Sequence, residues 1–563
     1  MERGLLARGG LKHRVTDSNA KWFALAAACF ALFMAILDNL VVNIALPTIA
    51  LELEATTTQV QWIVSAYTLF FASLQISGGG LGDRFGRKRW FLIGIVIFTI
   101  TSLLAAFSQS IEMLIAMRAL QGVGAALIMP LSLSLISEAF PPEERGKALG
   151  IWSAVSVSGI ALGPVVGGVL VEYATWNWVF LINVPVGIGA YLVTTAVVRE
   201  SRDTSGTVAT DVPGTLLITA TIASLTWSLI EAGNRGWTDG PILGAFVLAI
   251  LFGAAFVYVE AHTARPMVPL RFFRSPTFTG ANIDAFAISF LLAGVAFILT
   301  LYQQNVQGFS AVRTGLSLLP MVATTMIFSP IAGIMIGRVG PSRLISVGML
   351  ITAAGTLLFL RAGVDASYLD ILPAFVVLGF GMSFIWAPMS TAVLNSVESS
   401  KSGVASAING AGREIGTAFG IALLGTILNR VYQAHYNATP TVNAIKSDPA
   451  TTMLSPIVDA IGSGATLAGN GIGQVQAEMA RSAESVPLLA ALDRVYDPLW
   501  LASGYAFVAG MDWVIYVSAT VIAVAAVLSY FLIDDRVVNQ WRVPADAGED
   551  SAQIEPLVPS VVQ

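Results

Sequence analysis

Residues 79–89 read Gly79-Gly-Leu-Gly-Asp83-Arg84-Phe-Gly86-Arg87-Lys88-Arg89, a basic loop between apolar runs near 59–81 and 90–108. Each run approaches the roughly 20 apolar residues that a helix needs to cross a bilayer. The glycines let backbones approach and turn tightly. Asp83 stands among cationic groups at a membrane surface, where it can pair charge between helix ends. A positively charged anchor would need only the basic residues. The ordered Gly-x-Leu-Gly-Asp-Arg-x-Gly-Arg-Lys pattern is far more specific.

The rest of the chain shares this character. Its 563 residues are 55% hydrophobic and 12% charged, with a mean hydropathy of +0.74. Soluble domains carry roughly 25% charged residues. Too little charge remains to cover a soluble core, so lipid must solvate the outer face. Besides the two runs beside the loop, apolar runs lie near 22–46, 112–136, 148–171, 177–197, 212–231, 241–261, 278–302, 314–336, 344–361, 368–394, 404–429 and 503–533, giving fourteen expected spans. An even number places both termini on one side. Of the 30 Lys and Arg residues, 21 fall on that side and 7 opposite. Basic residues concentrate on the cytoplasmic face, so the termini are expected there. The basic segment 1–21 leads into a long span with no small-residue cleavage site, unlike a signal peptide. The connector 430–500 reads as an external loop with surface helices at Ile472–Ala483 and Val486–Val495, and the acidic tail 534–563 as disordered.

Composition also excludes. A net charge of −5 offers no basic face for nucleic acid. Cys29 is the sole cysteine, and His13, His262 and His435 lie far apart in connectors, so no metal site is expected. No phosphate-binding GxxxxGK[ST] sequence occurs, which leaves an ion gradient or another subunit as the energy source. No span holds a histidine and no soluble output domain is present, which argues against an enzyme or a sensor.

Four further stretches accompany the loop. They are Leu37-Asp38-Asn39-Leu40-Val-Val-Asn43-Ile-Ala45-Leu46-Pro47, Arg118-Ala-Leu-Gln121-Gly122-Val-Gly124, Gly159-Ile-Ala-Leu-Gly163-Pro164-Val-Val-Gly167-Gly168 and Trp176-Asn-Trp178-Val-Phe180-Leu-Ile-Asn183-Val-Pro185-Val-Gly187. In this order the five resemble the motifs of the fourteen-span drug:proton antiporters of the major facilitator superfamily, and the resemblance runs from about 22 to 533. Two positions depart from the pattern: Leu40 stands where Thr is usual, and Asn177 where Arg is usual.

The resemblance implies an all-α integral membrane fold. Six-helix bundles would occupy 22–197 and 278–533, with two inserted spans in 198–277 and alternating access between the halves. It implies a multi-pass protein of the cell membrane, working as a monomer. Its function would be proton-coupled export of lipophilic and/or cationic small molecules, with the proton gradient as energy source and no cofactor. Export of an endogenous lipid or a self-made antibiotic is the alternative.

Charges at membrane depth are functional by default. Asp38 is a candidate proton carrier, or a carboxylate paired with Arg118. Arg118 stays charged and cannot carry the proton; the resemblance gives it a part in proton coupling, beside Gln121 on the same helix face. Asp284, with no basic residue in its span, is expected to face the cavity as a second protonation or cation site. Arg413 and Glu414 point about 100° apart on their helix and read as structural. Candidate cavity-lining residues are Asn43, Tyr67, Gln121, Tyr302, Trp386 and Glu414. Gly79, Asp83, Arg84, Gly86 and Arg87 form the loop motif. Gly159, Gly163, Gly167 and Gly168, at small-residue packing distance, and the bending Pro164 form a seam that the resemblance assigns to closing an exporter's cytoplasmic or inter-bundle side.

Overall fold

A computed structural model describes residues 17–535 apart from 54, 56, 203–210, 264, 265, 267, 399, 400, 449, 450, 466, 467, 469–471, 473–475 and 477–485. The side chains of a few further residues, Asn43 and Pro164 among them, also lie outside the described set, as do most of 1–21, most of Ile472–Ala483 and the tail beyond 535.

Every long element is helical. In order they are α1 (Asp17–Glu52), α2 (Thr57–Phe85), α3 (Arg87–Ala106), α4 (Ile111–Ala139), α5 (Pro142–Tyr173), α6 (Trp178–Val197), α7 (Val212–Arg235), α8 (Gly240–His262), α9 (Pro276–Leu301), α10 (Arg313–Val339), α11 (Pro341–Arg361), α12 (Tyr368–Asn395), α13 (Ser402–Ala438) and α14 (Val486–Leu532). Among the described residues thirteen are long and apolar enough to cross a membrane; α5 is the remaining one. The chain is therefore a multi-pass membrane protein. Apolar side chains such as Phe30, Ile100, Leu192, Ile250, Ile327 and Phe531 stand exposed on its outer surface, as lipid requires.

α1–α6 pack on one another, and so do α9–α14. The α7–α8 hairpin lies along the place where these groups meet, for α7 packs on both α2 and α13. Ser77 of α2 and Thr219 share a hydrogen bond of 3.0 Å, and Trp237 Nε1 donates to Thr426 Oγ1 of α13 at 2.9 Å.

Glycines decide where helices touch. In α4, Gly122 and Gly124 face different neighbours: a Cβ on Gly122 would meet the Tyr67 carbonyl of α2, and one on Gly124 the backbone of Phe98 in α3. Two missing side chains thus wedge α4 between two helices. The Gly159–Gly168 stretch does not close the space between the halves. Gly159, Gly163 and Gly167 press on Ile36, Leu40 and Ile44 of α1, within the N-terminal group. α5 reaches the other half through an earlier pair: a Cβ on Gly146 would strike the Gly333 carbonyl, and one on Gly150 the Ser329 carbonyl. Gly168 is buried in the same helix.

The 430–500 connector also departs from expectation. Val486–Val495 opens the single 47-residue α14, and 430–438 continue α13. At 1.5 Å per residue these helices run about 70 and 55 Å, well past a hydrocarbon core of roughly 30 Å. Their projecting ends bury Tyr432 and Tyr436, stacked at 5.7 Å, against the short helices Pro440–Ser447 and Ser455–Ser463. Tyr432 donates to the Ile461 carbonyl at 3.0 Å. The projecting part has an apolar core, absent from a plain loop.

Candidate functional site

Five helices converge on Asp38, which is fully buried. Arg118 Nη1 of α4 lies 2.5 Å from Asp38 Oδ2. Asn183 Nδ2 of α6 donates to Oδ1 at 2.6 Å, and Gln121 Nε2 donates to the same oxygen at 3.3 Å. Ser102 of α3 accepts from Asn183 at 2.8 Å and from Gln121 at 2.9 Å. Arg118 also donates to the Ile63 carbonyl of α2 at 3.2 Å and to Gln121 Oε1 at 3.0 Å. Its guanidinium stacks 4.4 Å from the centre of the Tyr67 ring, and Tyr67 donates to the Ala35 carbonyl at 3.3 Å. The spacing of α4 accounts for part of this. Arg118 and Gln121 lie three residues apart on one face, and Gly122 lets that face come close to α2.

The cluster brings together the expected Asp38, Arg118, Gln121 and Tyr67. It adds Ser102 and Asn183, to which the sequence reading gave no role. The signal for Asn183 was its place in the 176–187 motif; a lone serine in α3 offered none. Asn177 in the same motif donates to the Ala106 carbonyl at 2.7 Å, closing the end of α3. Leu40 fills the groove beside Gly163, so the residue that replaces Thr serves packing.

A second cluster joins the halves at the 79–89 loop. Asp83 is buried and accepts from the Gly403 and Val404 amides at 2.9 and 2.8 Å, capping the first turn of α13. That turn carries the positive end of the helix dipole. Arg87, also buried, donates to Asp83 at 2.8 Å and to Glu138 at 3.2 Å. Gly79 rests on Gly403, where any side chain would collide with the carbonyl. Gly86 has φ +115 and ends α2, and the Glu200 carboxylate caps α3 by accepting from the Lys88 and Arg89 amides. Arg84 is half-buried. Arg145 Nη1 adds a bond of 3.0 Å to Asn395 across the halves.

Asp284 lies elsewhere. It is buried between α9, α11 and α14, where Ser529 Oγ is 2.6 Å from Oδ1 and also 3.8 Å from Met349 Sδ, while Oδ2 has no partner among the described residues. It therefore does not face the space between the halves. Tyr302 does not line that space either: its hydroxyl donates to the Gly363 carbonyl at 2.8 Å and fastens the α11–α12 connector to a π-turn over Tyr302–Val306. Trp386, Arg413 and Glu414 do sit near the junction, for Arg413 lies close to Trp152 of the other half. Among the described residues no cluster of His, Cys, Asp and Glu could hold a metal ion.

The site is a buried carboxylate–guanidinium pair inside a two-group bundle of long apolar helices. The chain belongs to the Major Facilitator Superfamily, whose sequence model matches residues 28–421. It is 34% identical over 407 residues to the tetracenomycin C resistance and export protein of Streptomyces glaucescens, covering 72% of this chain and 76% of that protein. It is 37% identical over 421 residues to the methylenomycin A resistance protein of Streptomyces coelicolor, covering 74% and 87%. To the multidrug efflux pump LfrA of Mycolicibacterium smegmatis it is 34% identical over 415 residues, covering 74% and 82%. Among solved structures it resembles the human organic anion transporter MFSD10, with a TM-score of 0.55 at 13% identity over 89% of this chain and 99% of that one. It also resembles the proton:xylose symporter XylE, with a TM-score of 0.54 at 16% identity over 73% and 90%. At these identities the solved structures speak for the fold alone.

Proposed function

We propose that the chain is a proton-coupled exporter of lipophilic small molecules, drugs among them, in the cell membrane. The relatives named for antibiotic resistance and multidrug efflux support the cargo class. The observation that carries the coupling is the Asp38–Arg118 pair. A proton added to Asp38 removes the charge that holds Arg118. Arg118 keeps three other anchors, the Ile63 carbonyl, Gln121 Oε1 and the Tyr67 ring, so it stays placed while Asp38 is released. Because Asp38 also holds Asn183 of α6, its protonation loosens α1 from both α4 and α6 at once. Asp284 is a second proton-holding group in this reading. Ser529 Oγ lies 2.6 Å from Asp284 and 2.8 Å from the Ala525 carbonyl, and its one proton cannot serve both. Both bonds form together when the carboxyl group supplies a proton.

In this reading α5 is a fourteenth span and both termini are cytoplasmic. The rocking halves are 22–197 and 278–533, the α7–α8 hairpin within 198–277 rides on the seam between them, and a monomer suffices. The Asp83–Gly403 contact and the Gly146–Gly333 contact then shut the cytoplasmic end. The family and fold are those of transporters, and the proton gradient replaces any cofactor.

A lipid or self-made antibiotic as cargo is the second reading. A wholly apolar groove of about 490 Å³ between α1 and α5, lined by Trp22, Leu25, Cys29, Phe33, Ile151 and Val155, favours it. Purified protein in liposomes with an imposed pH gradient tests the first reading with a panel of cationic and neutral dyes. Gradient-dependent movement supports it, and its absence for every dye contradicts it. Loss of drug resistance on deletion, with membrane lipids unchanged, would decide against lipid cargo.

A further inference from the structure

Arg413 is a membrane-depth cation that the Asp38 cluster does not use. It lies in the first third of α13 where the halves meet, its guanidinium carbon 5.9 Å from the Trp152 ring centre and 5.7 Å from that of Trp386. These distances sit at the outer limit of cation–π contact and leave the N–H edges available. Among the described residues its one hydrogen bond runs from Nη2 to Met129 Sδ at 3.8 Å. Gln75 Nε2 donates to the same sulfur at 3.5 Å. A thioether is a weak acceptor, so two donors, one of them charged, converge on an atom that satisfies neither. Gln75 is fully buried, and among the described residues neither its Oε1 nor the indole Nε1 of Trp386 has a partner. Buried polar groups are nearly always bonded, and Arg413 itself is only half-buried. Gln75 Nε2 and Arg413 Nη2 therefore converge on a position that lacks a strong acceptor. A guanidinium fork fits a planar pair of oxygens, and indole faces fit a flat ring.

We propose that Gln75 and Arg413 form a subsite for the acidic oxygen of a flat aromatic substrate, a carboxylate, phenolate or enolate, with the half-buried Trp386 beside its rings. This rests on the exporter reading and names its substrate class. Gln75 and Trp152 belong to the N-terminal helices, and Trp386 and Arg413 to the C-terminal ones, so a ligand here touches both moving parts. Glu414, the next residue, projects about 100° away from Arg413 on a helix of 3.6 residues per turn, and its carboxylate is the nearby charge that an anionic ligand of Arg413 must compete with.

Fluorescein and rhodamine 6G share one flat three-ring scaffold and carry opposite charge. Their binding to the full chain in nanodiscs is read by fluorescence polarisation. Arg413→Gln should weaken fluorescein binding about tenfold or more, the usual worth of a hydrogen bond to a charged group. Arg413→Lys should fall between, and rhodamine 6G should bind Arg413→Gln as well as it binds the natural protein, or better. Glu414→Gln, which removes a competing negative charge beside Arg413, should strengthen fluorescein binding and weaken that of rhodamine 6G. Should Arg413→Gln fail to fold, Gln75→Leu and Trp386→Phe are each expected to weaken fluorescein selectively. Equal fluorescein affinity in the natural protein and Arg413→Gln overturns the proposal, as does a natural protein that binds only rhodamine 6G. The same dyes in liposomes separate the two readings. Gradient-driven rhodamine 6G movement with fluorescein indifferent to Arg413 overturns the subsite alone, whereas no movement of either dye overturns the exporter.

Discussion

At the residue scale, the Asp38 cluster is built so that one proton changes several bonds. Asp38 accepts from Arg118, Gln121 and Asn183, and its two oxygens have no water-facing surface. Removing one partner of a buried ion pair costs about 3–5 kcal/mol, so Arg118→Met should lower the thermal stability of the purified protein sharply and abolish transport. Asn183→Ala removes two hydrogen bonds and should cost about 1–3 kcal/mol; thermal unfolding in detergent checks both. Loss of transport without loss of stability in Asn183→Ala would show that the residue serves coupling more than folding. Asp38, Arg118 and Gln121 were legible in the sequence, because charge at membrane depth is rare and the i, i+3 spacing puts two of them on one face. Their convergence with Ser102 and Asn183 was not, since periodicity orients a side chain within its helix and is silent about which helix lies opposite. The same blindness explains Asp284, which was expected to face the cavity but turns towards Ser529, a direction that depends on where α14 packs.

At the element scale, small residues set the approach of one helix to another. A Cβ on Gly163 would stand 2.6 Å from the Cβ of Leu40. Gly163→Ala should therefore destabilise by about 1–3 kcal/mol through overpacking, and Leu40→Ala should restore most of the loss in the double variant. No rescue would show that the α1–α5 contact is not what Gly163 protects. The spacing of Gly159, Gly163, Gly167 and Gly168 announced a close-packed face, yet only the tertiary arrangement shows that α1, inside the same half, occupies it. The projecting ends of α13 and α14 teach a related lesson. Hydropathy ends a span where polar residues begin, but a helix continues wherever neighbours bury its apolar side. Tyr432 is one such side chain, and Tyr432→Ala should cost about 3–5 kcal/mol. The effect should appear as protease cleavage within 439–485 while the membrane helices stay intact.

At the scale of the whole molecule, the halves meet through Gly79 on Gly403, Gly146 on Gly333 and the Asp83 cap on α13. The motif at 79–89 suggested that Asp83 pairs charge between helix ends; that the structure sets it on the amide end of α13, more than 300 residues away in sequence, was beyond the sequence. Asp83→Asn removes the charge that both caps α13 and pairs with the buried Arg87, which should cost the closed end about 3–5 kcal/mol. Spin labels at Lys147→Cys and Arg338→Cys, in a Cys29→Ala background, should then report a larger share of long distances. An unchanged distribution would remove Asp83 from the closure. The central claim is that protonation of Asp38 drives export, and the most direct measurement compares the natural chain with Asp38→Asn in liposomes. With an imposed pH gradient, the natural protein should move dye against its concentration, while Asp38→Asn should bind dye but show no gradient-dependent movement. Full gradient-driven transport by Asp38→Asn would contradict the account.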